Sequence, residues 1–264
     1  MNIIAGGFLS LLLLLQPNLM GVESIPTPAL TVPPLDASHS ILGQVLNSVV
    51  KADGVDYAAV QRLQPELDRY RAQLARAPAP QGRAEKLAFY INAYNALTLS
   101  LVASKLPVDQ HQWPAWSITL IGPPLGSAWK EFDFEVAGQR HTLDAIEHAI
   151  LRPLKEPRIH VAINCASRSC PALAAEPFIA ARLEAQLAAV GARFARDPYH
   201  VRISAGQLRL NPIFEWFADD FVAAGGPRAT LLAWAPDSPA TLSTTTDLHF
   251  FAYDWRLNLA GVAP

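Results

Sequence analysis

One short stretch of this chain holds most of the side chains that could do chemistry: Arg158-Ile159-His160-Val161-Ala162-Ile163-Asn164-Cys165-Ala166-Ser167-Arg168-Ser169-Cys170-Pro171. It carries the only two cysteines of the sequence, with four residues between them. A thiolate at Cys165 or Cys170 is a nucleophile if a base and nearby positive charge lower its pKa. His160, Arg158 and Arg168 are the local groups able to help. The opposing reading is structural: in an oxidising compartment the two thiols join and staple the loop. So small a ring adds only roughly 2 kcal/mol, so the staple would chiefly set the loop's shape. Asn164, Ser167, Arg168 and Ser169 are then binding candidates on the same loop.

Two more groups lie upstream. Asp144 and His148 are four apart in a helical pattern and share a face, so Asp144 could orient His148 as an alternative base. Glu147 points the other way, toward the interior. A buried carboxyl has a raised pKa and can act as acid or base at neutral pH. A metal set would need His160, Cys165, Cys170 and a second histidine. The cysteine spacing exceeds the tight pairs of structural zinc sites, and nothing calls for a metal or another cofactor.

These groups need elements to hold them. Ile159, Val161 and Ile163 alternate with His160, Ala162 and Asn164, which predicts a strand over 158–164 that ends in a loop. Strand parity puts His160 and Cys165 on opposite faces unless that strand stops before Cys165. The longest helical stretch, about 84–104, is apolar nearly all round and so belongs in the interior. Asn92 and Asn95 lie on it, and a buried amide left unpaired costs roughly 1–3 kcal/mol. They either tie neighbouring loops to the core or face the site.

Earlier, Ser38 is a candidate cap for a helix over Ile41 to Val49, and Asp56 for a second one kinked near Pro65. The loop from Pro107 to Trp129 carries Trp113, Trp116 and Trp129, which either floor a ligand groove or cover the core. Phe132 to Val136 and Gln139 to His141 read as a hairpin about Gly138. Helices are expected over Thr142 to Pro153, Glu176 to Phe194 and, with Phe214, Trp216, Phe217 and Phe221, after Asn211-Pro212. A second hairpin is expected over Val201–Leu210, and a strand over Asp247–Tyr253. The order gives a single α+β domain over 36–258: a small mixed sheet packed by helices around the buried central helix.

The chain has 264 residues, 51% hydrophobic and 17% charged, with a net charge of −2. That balance suits a well-buried globular body and gives no basic face for nucleic acid. Ile3 to Leu15 is apolar but short of the roughly 20 residues of a membrane span. It fits the core of a secretory signal, with cleavage near Ser24. No Lys or Arg precedes Lys51, so a short membrane anchor through residues 3–15 stays open beside the signal peptide. Residues 1–24 are thus a signal or anchor and 25–35 a Pro/Thr-rich tether. The expected location is exported: periplasmic, secreted or membrane-anchored.

Four stretches carry a family resemblance. They are Phe89 to Thr98, Leu143 to Pro153, His160 to Pro171, and Tyr253-Asp254-Trp255-Arg256-Leu257-Asn258. In order and spacing they resemble the domain of unknown function 547, across nearly the whole mature chain. Plant forms place a leucine-zipper region before the domain. This sequence has no heptads there and resembles the bacterial exported form. The resemblance implies no activity. Two function classes follow from the residues themselves. One is a cysteine-dependent hydrolase or acyl transferase using Cys165 or Cys170 with His160, His148 or Glu147. The other is a non-catalytic binding module for a small molecule or peptide, with a disulfide-closed loop.

Overall fold

Four helices build the first half of the chain: α1 (Ser40–Val49), α2 (Tyr57–Arg62), α3 (Gln64–Arg76) and α4 (Arg83–Lys105). The computed structural model describes residues 23–26, 32–122, 127–204, 207–237 and 248–262. The apolar leader and the middle of the tether lie outside the described residues, as do Asp247 and the turn of the second hairpin. Helix α4 contains no Gly or Pro, and every residue from Leu87 to Ala103 is buried. Glu85 accepts a hydrogen bond from the Gly82 amide at its start. It stops at Leu106, which is extended, as a residue before proline prefers to be.

Two boundaries differ from expectation. Asp36, not Ser38, organises the start of α1: its carboxylate accepts from the Ser38 amide (2.9 Å) and the Ser40 amide (3.2 Å). A carboxylate with two oxygens holds both amides where a serine would hold one. Pro65 does not kink one helix but starts another. The chain breaks at Leu63, and Pro65 sits in the first turn of α3, where its missing N–H costs nothing.

The strands form three small sheets rather than one. The first contains β1 (Glu23–Ser24), β4 (Phe132–Val136) and β5 (Gln139–Thr142). Ala137 and Gly138 both have positive φ at the β4–β5 turn, the geometry that matches hairpin twist. Their amides donate to the Leu74 and Ala75 carbonyls and dock the hairpin on the end of α3. The second pairs β2 (Val50–Lys51) with β3 (Gly54–Val55). The third joins β6 (Val201–Ser204), β7 (Gln207–Leu210) and, in parallel with β7, β8 (Leu248–Phe250). Helices α5 (Leu183–Arg196), α6 (Ile213–Trp216), α7 (Ala218–Val222) and α8 (Gly226–Trp234) complete an α+β domain around α4.

Residues 158–164 are not a strand. Pro157–Val161 is a 3-10 helix, opened by Glu156, whose carboxylate accepts from the Arg158 amide. Every residue from Ile159 to Asn164 is buried, so the alternation in the sequence does not separate a wet face from a dry one. The helix expected from Glu176 begins only at Leu183, after a 3-10 turn. Asn92 explains the delay. Its amide donates to the Phe178 carbonyl and accepts from the Phe178 N–H, both at 2.8 Å. That claims the backbone groups a helix would need.

Candidate functional site

A cavity of about 250 Å³ opens beside α4. Helix α4 contributes Tyr94, and a π-helix, Ala145–Leu151, contributes Glu147 and His148. The Thr142 hydroxyl accepts from the Ala145 amide at the start of that helix. The 3-10 helix supplies His160, and the loop after it supplies Cys165 and Cys170. Trp216 from α6, Phe217, Tyr253, Trp255 and Trp129 form the aromatic remainder. All five residues read from the sequence as catalytic candidates therefore line one cavity. The parity obstacle between His160 and Cys165 disappears because the chain between them is a helical turn and a loop.

The cysteine loop is held by hydrogen bonds. The two cysteines lie unbonded to each other in this structure, which does not show the expected disulfide staple. The Asn164 side chain accepts from the Ala166 amide and donates to the Pro171 carbonyl, bridging the loop's two ends. Ala166 adopts a left-handed φ of 63° between them. The segment 253–258 lies alongside: the Arg168 amide donates to the Arg256 carbonyl, Ser169 to Asp254, and Asn258 to Ala166. Asn95 anchors the loop from below. It donates to the Ala162 carbonyl (3.0 Å) and accepts from the Asn164 amide (2.8 Å). Asn92, Asn95 and Asn164 thus position backbone rather than face the cavity. Arg168 donates to the Val262 carbonyl, and the Ser169 hydroxyl accepts from the Asp254 amide. These two hold the C-terminal segment.

Cys165 and Cys170 are chemically unequal. The Cys165 amide donates to Cys170 Sγ at 2.9 Å. Cys165 Sγ lies 3.1 Å from the Ser167 hydroxyl and 3.3 Å from that of Tyr253. Ser167 donates to Tyr253 (2.8 Å), which leaves the Tyr253 proton free to point at the sulfur. The Cys170 thiol's hydrogen bond, joined by those of the Tyr253 hydroxyl and the Ser167 amide, outweighs burial and brings Cys165 down to about 6. Burial, followed by the neighbouring Cys165 sulfur, pushes Cys170 far up. At neutral pH the structure therefore favours a thiolate on Cys165 and a thiol on Cys170.

Glu147 and His160 are both uncharged at that pH. Burial, and then the negative charge of Cys165, raise Glu147 to about 8. Tyr94 is hydrogen-bonded to this carboxyl while accepting from Trp129 Nε1 (3.1 Å). Burial brings His160 down to about 4 against the pull of Asp220. His160 Nε2 lies 2.7 Å from Asp220 Oδ2, and its ring stacks on Phe217 at 4.0 Å. Burial works against ionising Asp220, yet hydrogen bonds from Arg152 and His160 hold its carboxyl below the usual range. An ionised Asp220 can only accept, so the imidazole proton sits on Nε2. Nδ1 is then a lone pair, buried without a hydrogen-bond partner and 3.9 Å from Glu147 Oε1. With both groups neutral, that contact is a carboxylic acid beside an imidazole and not an ion pair.

His148 is placed differently. Arg152 donates to its Nδ1 (3.1 Å), and its Nε2 faces Asp144 at 3.7 Å. Its acceptor nitrogen is already used, so it is the weaker candidate for a base. Among the described residues no group of His, Cys, Asp or Glu is arranged to hold a metal ion. Of the three loop tryptophans, Trp113 and Trp116 are in the core and only Trp129 reaches the cavity. Asp220, Tyr253, Trp216 and Phe217 are not among the site residues read from the sequence.

The family model described as "Protein of unknown function, DUF547" matches residues 79–195. No curated protein and no solved structure matches the chain. The matched span includes Glu147, His148, His160 and both cysteines. Asp220, Trp216, Tyr253 and Trp255 lie beyond it.

Proposed function

We propose that this member of the DUF547 family is an exported, thiol-dependent hydrolase or acyl transferase with Cys165 as nucleophile. The observation that carries the reading is that Cys165, Glu147 and His160 line one cavity, with the Cys165 sulfur 3.3 Å from the Tyr253 hydroxyl. A sulfur favoured as thiolate lies in the same cavity as a carboxyl favoured as neutral acid and an imidazole with an unpartnered lone pair. The apolar leader Ile3–Leu15 supports export.

In this reading the Cys165 thiolate attacks an acyl carbon and the new C–S bond moves the negative charge onto the substrate oxygen. Collapse expels the leaving group, which takes the proton of Glu147. Consumption of the thiolate also removes the second of the two main causes that keep Glu147 protonated. Its acidity therefore rises at the step that needs an acid. The acyl group is now a thioester on Cys165. A water or acceptor nucleophile attacks it, giving its proton to the Glu147 carboxylate or to His160 Nδ1, and the thiolate returns. Asp220, clamped by Arg152, keeps His160 in the tautomer whose lone pair faces the cavity.

The test is turnover of small ester and thioester substrates combined with intact-protein mass spectrometry. The expected result is an acyl adduct on Cys165, with turnover abolished in Cys165→Ala and reduced in Asp220→Asn. Turnover unchanged in Cys165→Ala overturns the reading.

A further inference from the structure

Acyl chemistry at Cys165 uses Cys170 only as a hydrogen-bond donor to the sulfur and never as a reacting group, yet Cys170 lies against it. The Cys165 amide reaches Cys170 Sγ at 2.9 Å, and both residues line the same cavity. The loop between them turns through Ala166 in the left-handed region, so the two side chains meet without a strand or helix separating them. We propose that Cys165 and Cys170 form a working dithiol that reduces a small, uncharged disulfide bound in this cavity, with Cys165 attacking and Cys170 resolving. This goes beyond the acyl-transfer reading. It shares the Cys165 sulfur and requires Cys170 as a reacting sulfur, which the acyl reading does not.

The steps balance. Cys165 thiolate attacks one sulfur of the disulfide, forming a mixed disulfide and releasing one thiolate. Cys170 then attacks the Cys165 sulfur. Its proton goes to the second departing thiolate, and a Cys165–Cys170 bond remains. The substrate gains two electrons and the protein loses two. A small dithiol, the co-reactant for turnover, returns the protein to its reduced form by the reverse exchange.

The inequality of the two thiols suits this order. The less buried member is the better ionised, and the other stays protonated until a neighbouring sulfur becomes electrophilic. The size of the cavity sets the substrate class: about 250 Å³ is roughly eight water volumes at about 30 Å³ each. That admits a small disulfide and not a folded protein. The aromatic lining and the sulfur's negative charge favour an uncharged molecule over an anionic one.

The experiment uses the full chain, reduced, freed of reductant and kept anaerobic, with bis(2-hydroxyethyl) disulfide as the only oxidant. Intact mass and peptide mapping follow the products. Wild type should lose two hydrogens, show a Cys165–Cys170 link and release two thiols per protein. Cys170→Ser and, in parallel, Cys170→Ala should stall as the mixed disulfide on Cys165; Cys165→Ser should give neither product. Circular dichroism confirms that each variant is folded. A wild type that stalls at the mixed disulfide overturns the proposal, as does a Cys165→Ser variant that reduces the probe as fast as wild type. Ester turnover is scored on the same samples. Dithiol oxidation without it sinks acyl transfer alone, and ester turnover without dithiol oxidation sinks this proposal alone.

Discussion

Alkylation of Cys165 by iodoacetamide should titrate near pH 6, against about 8.5 for an ordinary thiol. At pH 5 an ordinary thiol is roughly 0.03% ionised and Cys165 roughly 9%, a ratio of about 300. The lower basicity of the sulfur takes back a factor of about 13, through a Brønsted slope of about 0.45. The net advantage over a model thiol is therefore roughly 20-fold at pH 5 but only about twofold at pH 7. Acid pH is where the environment of Cys165 becomes visible, and a single measurement at neutrality would miss it. Restricted access to the cavity lowers every rate alike and leaves the midpoint where it is. The assay is the second-order rate from about pH 4 to about pH 9, with peptide mapping to separate the cysteines. Cys170 should stay unlabelled throughout. Tyr253→Phe removes one donor to the sulfur and should move the midpoint upward. A wild-type midpoint of 8 or above, or parallel labelling of both cysteines, would refute the reasoning.

Two further outcomes test the frame around the thiol. Glu147 is protonated in both states at pH 4; above the ordinary 4.5 only the unfolded chain ionises, so stability falls until the folded group itself ionises at about 8. At about 1.4 kcal/mol per pH unit the span bounds this loss at roughly 5 kcal/mol. Denaturant melts of Glu147→Gln should show a flatter dependence over that window, and an unchanged slope would place the carboxyl in water. Asn95→Leu strands the Ala162 carbonyl and the Asn164 amide and should cost roughly 1–3 kcal/mol per stranded group despite the added apolar volume. A melting temperature equal to wild type would mean that Asn95 does not anchor the cysteine loop.

The sequence made the buried central helix legible because Leu87 to Ala103 are apolar on every side, and a helix of that kind has nowhere to lie but the interior. The β4–β5 hairpin was equally open, since Phe132, Phe134 and Val136 alternate with Asp133 and Glu135 and a glycine turns the chain. The strand reading at 158–164 failed for a definite reason. Period-2 alternation signals a sheet only when one face is wet, and here His160, Ala162 and Asn164 are buried as well. At the site, residue types that stand out by chemistry could be found: the cysteines, His160, Glu147. Asp220 could not, because its role comes from a contact across 60 residues. Phe217 and Trp216 looked like the apolar face of a helix, and Tyr253 looked like the end of a strand. No local pattern distinguishes an aromatic that lines a cavity from one that fills a core.

What decides the chemistry of this cavity is how few charges it can carry. Two anions about 6 Å apart repel by roughly 3 kcal/mol at an effective dielectric of about 20, enough to keep one of two neighbouring acids protonated. Near the cavity wall Asp220 can stay ionised because Arg152 holds it with two hydrogen bonds. Glu147 has no cation bonded to it, only a hydrogen bond from Tyr94 and the more distant charge of Arg152, and so keeps its proton. Cys165 wins the remaining charge because its sulfur takes hydrogen bonds from the Cys170 thiol, the Ser167 amide and the Tyr253 hydroxyl, whose oxygen the Ser167 hydroxyl already holds. Attack on any electrophile, acyl carbon or disulfide, moves that charge away from the sulfur. Glu147 is then free to release its proton, and Cys170 is freed of its neighbour's charge. The same redistribution serves both chemistries. They part at the second step, where a water activated by Glu147 or His160 competes with the Cys170 thiol for the group on Cys165. A thioester carries an electrophilic carbon that water can reach, whereas a mixed disulfide offers a sulfur to which Cys170 is already adjacent.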